Sequence, residues 1–268
     1  MRAWKMLHAF VSALLCLASQ TLTATAQLTT EGAPPRGLTA TVPPTKDEAP
    51  PPISRDDEVL FLRRVLADTE DVWEQIFQTA GRHYPKPKLV VFSELTNTRC
   101  GMGEAAIGPF YCSSDHAVYL DLDFFRALRE EYHAPDNFAQ AYIIAHEIGH
   151  HVQNVLGIAA KVEELTKRAD RVRGNALSVR VELQADCLAG VWAYRTNQMR
   201  HSLEPGDIES GLNAASQIGD DTLQKRDQGI VVPETFTHGT SAQRMRWFHR
   251  GLDRGESLDC NTFEAKSL

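Results

Sequence analysis

The sequence has no dominant basic stretch and no internal repeat. Lysine and arginine number 28 against 35 aspartates and glutamates, which gives a formal net charge of −7 at pH 7. A nucleic-acid-binding surface needs clustered positive charge, so the composition argues against a nucleic-acid partner. The lack of a repeat argues against a solenoid. With 268 residues, of which 43% are hydrophobic, the chain is long enough for one sizeable core plus a tail.

The sequence also has no long apolar run, and its one notable apolar segment, near the start, is short. Residues 1–26 have the pattern of an export signal, with a basic start, an apolar run over residues 6–19 and the small-residue site Ala24-Thr25-Ala26. The run is shorter than the about 20 residues that span a bilayer, so we expect cleavage after Ala26. An uncleaved membrane anchor is the alternative. Either way, the sequence predicts export to the periplasm, the cell envelope or the medium.

Cysteine is scarce, and none of the five cysteines has the CxxC spacing of a cysteine zinc site. Removal of the signal leaves Cys100, Cys112, Cys187 and Cys260 in an oxidising compartment. An even count fits two disulfides, with three connectivities. We expect Cys100–Cys112, because the residues between them are typical of a hairpin, and then Cys187–Cys260. Four buried thiols are the alternative.

Proline is concentrated outside the expected domain, since seven of the 13 prolines lie within residues 27–53. Such a segment buries too little apolar surface to offset its conformational entropy, so we expect a disordered linker. From Ser54, apolar residues recur at helical spacing, and a domain over residues 54–268 follows. Short β-rich runs at 89–92, 110–111 and 117–122 lie among longer helical patterns. These patterns predict an α+β domain, mostly helical with a small β-sheet.

One predicted helix carries an unusual set of polar residues. It should begin at about Asn137 and end at Gly157, and it is apolar nearly all round, which is typical of a buried helix. Burial of His146, Glu147 and His150 on it would be costly unless something satisfied them. The histidines are four residues apart, so both can reach one metal ion, while Glu147 can flank the ion as a general base. A solvated polar stripe is the alternative.

A catalytic zinc ion normally has a third protein ligand. The third histidine of the metzincin pattern is absent, because Gln153 and Leu156 stand where its glycine and histidine would be. A second apolar helix, over about residues 175–194, offers Glu182 and Asp186 on one face. Glu182 is the candidate third ligand, and Asp186 the candidate acceptor for the other ring N–H of a ligand histidine. An exposed ion-pair face is the alternative for both carboxylates.

Several segments resemble the bacterial family named "putative neutral zinc metallopeptidase". They are residues 141–154, 175–178, 182–187, 108–112, 118–121, 218–221 and 236–241. The resemblance covers about residues 55–263. It implies a gluzincin-like, zincin-type domain with one catalytic zinc ion bound by His146, His150 and Glu182. It also implies a peptide or protein substrate, without naming which one.

Two further roles rest on this resemblance. His238 is similar to the histidine of a Thr-His segment in gluzincin-type peptidases, so we expect it to stabilise an oxyanion, with Arg244 orienting it. A surface histidine is the alternative. The strand at 118–122 is expected to pair with extended substrate, or else to be a core strand. For Asp220 and Asp221, capping or solvation is favoured over calcium binding.

The sequence therefore predicts an exported zinc-dependent metallopeptidase, and within that class an endopeptidase. One alternative is a non-catalytic cell-envelope protein that zinc only stabilises. Another is a zinc amidase acting on cell-wall peptides. Membrane attachment through residues 6–19 stays open, and the pattern carries no indication of the oligomeric state.

Overall fold

The computed structural model describes residues 54–104, 108–130, 137–216 and 219–268. The predicted signal or anchor, residues 1–26, and the proline-rich linker, residues 27–53, lie outside the described residues. Within the described residues, no helix is both long enough and apolar enough to cross a membrane.

Helices make up most of the described fold, and a small sheet accompanies them, so the predicted α+β class is confirmed. The helices are α1 (Arg55–Thr79), α2 (Leu122–Glu130), α3 (Asn137–Val155), α4 (Ile158–Thr166), α5 (Arg171–Arg200), α6 (Asp207–Ser216), α7 (Asp220–Gln228) and α8 (Ser241–Arg254). The strands are β1 (Lys88–Phe92), β2 (Leu95–Thr98), β3 (Gly101–Glu104), β4 (Phe110–Cys112) and β5 (Ala117–Asp121).

The main sheet has three strands in the order β1-β5-β4. Strand β5 runs parallel to β1 and antiparallel to β4, and all five of its residues are buried. The expectation that residues 118–122 pair with substrate is therefore wrong, because both sides of β5 already carry strand partners. The alternative, a core strand, holds, and β1 and β4 form the two edges of this sheet. Strands β2 and β3 form a separate antiparallel hairpin. The hairpin expected between Cys100 and Cys112 is therefore wrong, because β3 pairs with the preceding strand β2 while β4 pairs with β5.

The centre of the fold is the packing of α3 against α5. Gly149 of α3 lies against Ala185 of α5, and a Cβ atom added at Gly149 would be 3.0 Å from both the Cα and the carbonyl oxygen of Ala185. The two helices can approach this closely because glycine has no side chain. Gly149 therefore serves the packing of α3 against α5.

A second close crossing joins α5 to α8. Gly190 of α5 faces the carbonyl oxygen of Phe248, and Gly251 of α8 faces that of Cys187, with no room for a Cβ atom at either glycine. This crossing brings the start of α8 alongside the middle of α5. Arg244 thereby becomes a buried neighbour of Asp186.

Both expected disulfide pairs are present. The sulfur atoms of Cys100 and Cys112 are 2.13 Å apart, and those of Cys187 and Cys260 are 2.02 Å apart. The first pair joins the turn of the β2–β3 hairpin to β4. The second pair fastens the C-terminal segment to α5.

The Gly149–Ala185 contact predicts opposite effects for two Gly→Ala substitutions. Gly149→Ala gains about 1 kcal/mol of helix propensity but overfills the contact, so the free energy of unfolding should fall, given a typical overpacking cost of about 1–3 kcal/mol. Gly174→Ala in α5 meets only the Thr166 side chain, at 3.4 Å, and should raise stability by up to about 1 kcal/mol. Urea unfolding of both variants checks this, and a stabilising Gly149→Ala would contradict it.

Candidate metal centre

His146, His150 and Glu182 converge where α3 and α5 meet. The Nε2 atom of His146 lies 3.1 Å from Oε2 of Glu182 and 3.2 Å from Nε2 of His150. The third side of the triangle, from Nε2 of His150 to Oε2 of Glu182, is 3.5 Å. Ligand atoms on a tetrahedral zinc ion, at about 2.0–2.1 Å from the metal, are about 3.3 Å apart. The three atoms therefore fit three corners of a zinc tetrahedron.

No other group of three histidine, cysteine or acidic side chains comes together in this way among the described residues. The helix geometry explains why these three do. His146 and His150 are one turn apart on α3, and the close approach at Gly149 brings Glu182 of α5 opposite them. The position of Glu182 beside the two histidines thus depends on the contact between α3 and α5, two helices that are separate in the sequence.

Asp186 supports His146 from behind. Its Oδ1 atom lies 2.8 Å from Nδ1 of His146 and accepts hydrogen bonds from the Tyr142 hydroxyl and, at 3.0 Å, from Arg244 Nη2. Its Oδ2 atom accepts from Arg244 Nε, also at 3.0 Å. Burial alone would raise the pKa of Asp186, but Arg244 and His146 outweigh it and hold that pKa well below its usual range. An ionised Asp186 keeps the proton of His146 on Nδ1, so Nε2 is free for a metal.

Gln153 fixes the position of the ring proton of His150, as Asp186 does for His146. The Nε2 amide of Gln153 donates to the carbonyl oxygen of Val181 at 2.8 Å and to Oε1 of Gln184 at 3.0 Å. Because both acceptors fix the amide group, Oε1 of Gln153 faces Nδ1 of His150, at 2.9 Å. That nitrogen must then donate, which leaves Nε2 of His150 without a proton and free to bind a metal.

The electrostatic environment of His146, His150 and Glu182 favours a cation between them. Burial lowers the pKa of both histidines, but Asp186 and Glu182 raise that of His146 to about 10, and Glu182 raises that of His150. Burial raises the pKa of Glu182, yet His150 and His146 hold it well below its usual range. The buried carboxylates therefore require positive charge between them, which protons or a divalent metal can provide.

Glu147 lies next to the triangle without joining it. Its side chain is buried, and burial raises the pKa of its carboxyl group against the opposing effect of His150 and His146. The backbone of Tyr111 on β4 is close enough to this carboxylate to lower its pKa. Glu147 thus lies between the edge of the sheet and the triangle of His146, His150 and Glu182.

His151 holds β4 against α3. Its Nε2 donates to the carbonyl oxygen of Pro85 at 2.6 Å, so its Nδ1 accepts from the Tyr111 hydroxyl at 2.9 Å. Burial lowers the pKa of His151, which keeps the ring neutral as this arrangement requires. These contacts give His151 a structural role, in which it joins α3 to β4 and to the segment before β1.

A cavity of about 570 Å³ opens over the ligand triangle. It is lined by polar and apolar side chains from the sheet edge, from six helices and from the loop before α8. They are Pro109, Phe110, Tyr111, Ser113, Phe124, Tyr142, Ile143, His146, Glu147, His150, Gln153, Ala159, Val181, Glu182, Leu223, His238 and Arg244.

His238 lies on the wall of this cavity, but Asp220 rather than Arg244 positions it. Asp220 Oδ2 accepts the backbone N–H groups of Thr237, His238 and Gly239 at 2.7, 2.6 and 2.9 Å. Its Oδ1 lies 3.3 Å from Nδ1 of His238, and this hydrogen bond raises the pKa of the imidazole. Arg244 hydrogen-bonds Asp186 and Tyr142 instead. The expectation that Arg244 orients His238 is therefore wrong.

Asp221 caps the start of α8. Its Oδ1 atom accepts the Ser241 backbone N–H at 2.9 Å. Together with the Asp220 contacts, this agrees with the capping expected for the two aspartates rather than with calcium binding.

Sequence reasoning missed several supporting residues of the site. Tyr142 and Gln153 were within its reach, because they lie four residues before His146 and three after His150, on neighbouring turns of one helix. Gln184 and the partnership between Asp220 and His238 join elements distant in the chain. No local spacing indicates them.

Comparisons with known proteins agree with this centre. The family described as "Putative neutral zinc metallopeptidase" matches residues 11–263. The chain is 51% identical over 210 residues to "Uncharacterized protein YpfJ" of Escherichia coli K12, covering 78% of this chain and 73% of that protein. It is 41% identical over 195 residues to "Uncharacterized protein Rv2575" of Mycobacterium tuberculosis H37Rv, covering 69% and 65%. No solved structure matches. The chain thus belongs to the putative neutral zinc metallopeptidase family.

Proposed function

We propose that this protein is an exported zinc metallopeptidase that cleaves within peptide chains. The observation that carries the proposal is the triangle of His146, His150 and Glu182, with sides of 3.1, 3.2 and 3.5 Å, beside the buried carboxylate of Glu147. Two disulfides support an oxidising compartment and hence export.

Zinc, when bound, supplies a Lewis acid that polarises a carbonyl group and lowers the pKa of water towards about 7. Glu147 then accepts the proton of the attacking water and passes it to the leaving amine. Its buried setting and raised pKa suit a group that must both take up and release a proton near neutral pH.

His238 supplies a hydrogen-bond donor on the wall of the cavity. With Nδ1–H directed to Asp220, the Nε2–H of the protonated imidazole is available to the oxygen on which negative charge develops. The three backbone contacts to Asp220 fix the loop, so this donor needs little reorganisation during the reaction.

The substrate backbone is proposed to lie along β4. Strand β4 is one of the two edge strands of the sheet, and the backbone of Tyr111 at its centre is close enough to Glu147 to lower the pKa of that carboxyl group. An extended peptide added at this edge would carry its carbonyl groups past the ligand triangle. The substrate strand in the proposal is therefore β4 rather than residues 118–122.

Cleavage within chains is favoured by the state of the charges around the cavity. An exopeptidase needs an unpaired charge to hold a substrate terminus. Among the described lining residues, Arg244 is paired with Asp186, His238 is paired with Asp220, and Glu182 contacts both His146 and His150. The cavity therefore offers apolar surface rather than a free cation for a carboxylate.

The non-catalytic alternative fits the donor set less well. A structural zinc site normally has four protein ligands. In the described part of the chain three converge, and a cavity adjoins them. An amidase acting on cell-wall peptides would use the same centre, so peptidoglycan fragments should be tested beside protein substrates.

Glu147→Gln should abolish peptide cleavage while zinc remains bound. Removal of the proton acceptor should lower kcat by about 10²–10⁴-fold, because the amide cannot take the proton. Elemental analysis and cleavage of a peptide library measure the two properties. Glu163→Gln, on the exposed face of α4, is the matched control. Full activity of Glu147→Gln would rule out the proposed base.

Glu182→Gln should weaken zinc binding by more than the about 10- to 100-fold that loss of an outer-shell partner costs. The reason is the loss of an anionic ligand at one corner of the triangle. Competition with a chromophoric chelator gives the dissociation constant, with Glu163→Gln again as control. Equal zinc affinity in the two variants would mean that another group is the third ligand.

Asp220→Asn should shift the alkaline limb of the kcat/KM–pH profile to lower pH. The carboxylate raises the pKa of His238, so the imidazolium persists to higher pH and is lost as the pH rises through that value. An amide lacks the charge, so protonated His238 disappears sooner. Asp221→Asn is the matched control, because Asp221 contacts Ser241 and not His238. This substitution should leave the alkaline limb of the profile unchanged. Unchanged profiles for both variants would exclude His238 as the donor.

A further inference from the structure

The C-terminal segment is fastened along one face of α5. Arg180, Gln184 and Cys187 follow one another at helical spacing on that face. The Thr262 hydroxyl donates to the carbonyl oxygen of Arg180 at 2.7 Å, Gln184 Nε2 donates to that of Cys260 at 2.9 Å, and Cys187 is bonded to Cys260. We call residues 257–262 the C-terminal latch.

The latch is connected to a metal ligand by two buried amides. Gln184 uses its Nε2 on the Cys260 carbonyl, so its Oε1 is directed to Nε2 of Gln153, 3.0 Å away. Gln153 in turn presents Oε1 to Nδ1 of His150 at 2.9 Å. Gln153 is 1% exposed and Gln184 7%, so water does not readily replace these partners.

We propose that the C-terminal latch sets the zinc affinity of the metal centre through Gln184 and Gln153, which are positioning residues for His150. This inference rests on the proposed zinc site. Without Cys260 beside it, the Gln184 amide can turn over and present N–H groups to Gln153. The Gln153 amide then has no unique orientation, and the Nδ1–H of His150 loses its acceptor in a buried setting.

The other disulfide provides a control inside the same chain. Cys100–Cys112 ties the β2–β3 turn to β4, and among the described residues no hydrogen bond connects it to Gln184 or Gln153. A variant without this pair also loses one disulfide, but it keeps the hydrogen bonds from Cys260 through Gln184 and Gln153 to His150.

The test measures zinc dissociation constants of the full chain by chelator competition. Gln153→Met should weaken zinc binding by about 10- to 100-fold, as expected for loss of a ligand's hydrogen-bond partner. Gln184→Met and the double variant Cys187→Ala/Cys260→Ala should weaken it less, by about 3- to 10-fold, because Val181 still holds Gln153. Cys100→Ala/Cys112→Ala should bind zinc within about twofold of the wild type, since it leaves the partners of His150 in place.

A second readout separates positioning from general loosening. In zinc-loaded protein, nitrogen-15 NMR follows solvent exchange of the two Nδ1 protons. Gln184→Met should speed exchange at His150 while the proton of His146, held by Asp186, stays protected. Faster exchange at both histidines would indicate general loosening and overturn the inference.

Unchanged zinc affinity in folded Gln184→Met also overturns the inference, and this variant decides the question if the double cysteine variant does not fold. A wild-type chain that binds no zinc refutes the proposed function instead, so the two failures are distinguishable.

Discussion

The close contact between Gly149 and Ala185 is the constraint on which the site depends. Two helices carry the candidate metal centre, and neither carries all three of the proposed ligands. A side chain at position 149 would push α5 away, and Glu182 would move out of reach of His146 and His150. The glycine costs helix propensity of about 1 kcal/mol, and in return the fold gains an interhelical distance that suits a single ion.

Around that contact, each charged or polar group is oriented by the next one. Asp186 is held by Arg244 and Tyr142 and fixes His146, while Gln153 fixes His150. The two ligand histidines thus have different partners, one anionic and one neutral. An anionic acceptor makes the imidazole a stronger donor to a metal than a neutral amide does, so the histidines are electronically unequal although the motif repeats the same residue.

The sequence was sufficient for the parts of the site that follow from helical spacing. His146, Glu147 and His150 share one periodic helix, and Glu182 with Asp186 form a second pair four residues apart, which the resemblance connected to the first. The helices α3 and α5 and the class of the fold follow from the same periodicity, although α5 is longer than expected and begins at Arg171. The β2–β3 hairpin and α7 have no strong apolar period, and α4 is a short helix without a buried residue, so these elements escaped prediction.

Strand order and long-range hydrogen bonds lay beyond such reasoning. The alternation in residues 117–121 predicts a strand but cannot say that β1 and β4 occupy both of its sides. Arg244 was rightly singled out, yet its partner is Asp186 and not His238, because the α5–α8 crossing rather than sequence proximity decides its neighbours. The charges that matter most here are paired across 18 to 58 positions of the chain.

The edge strand β4 has only three residues, and a disulfide holds its last one. A peptide lying along so short an edge can form only a few main-chain hydrogen bonds, so the backbone contributes little discrimination and the apolar walls of the cavity must select side chains. The short length of β4 also limits association between copies of the protein at this edge. An exposed edge strand can pair with a strand of another molecule, but β4 offers only three residues, and a disulfide restrains the last of them.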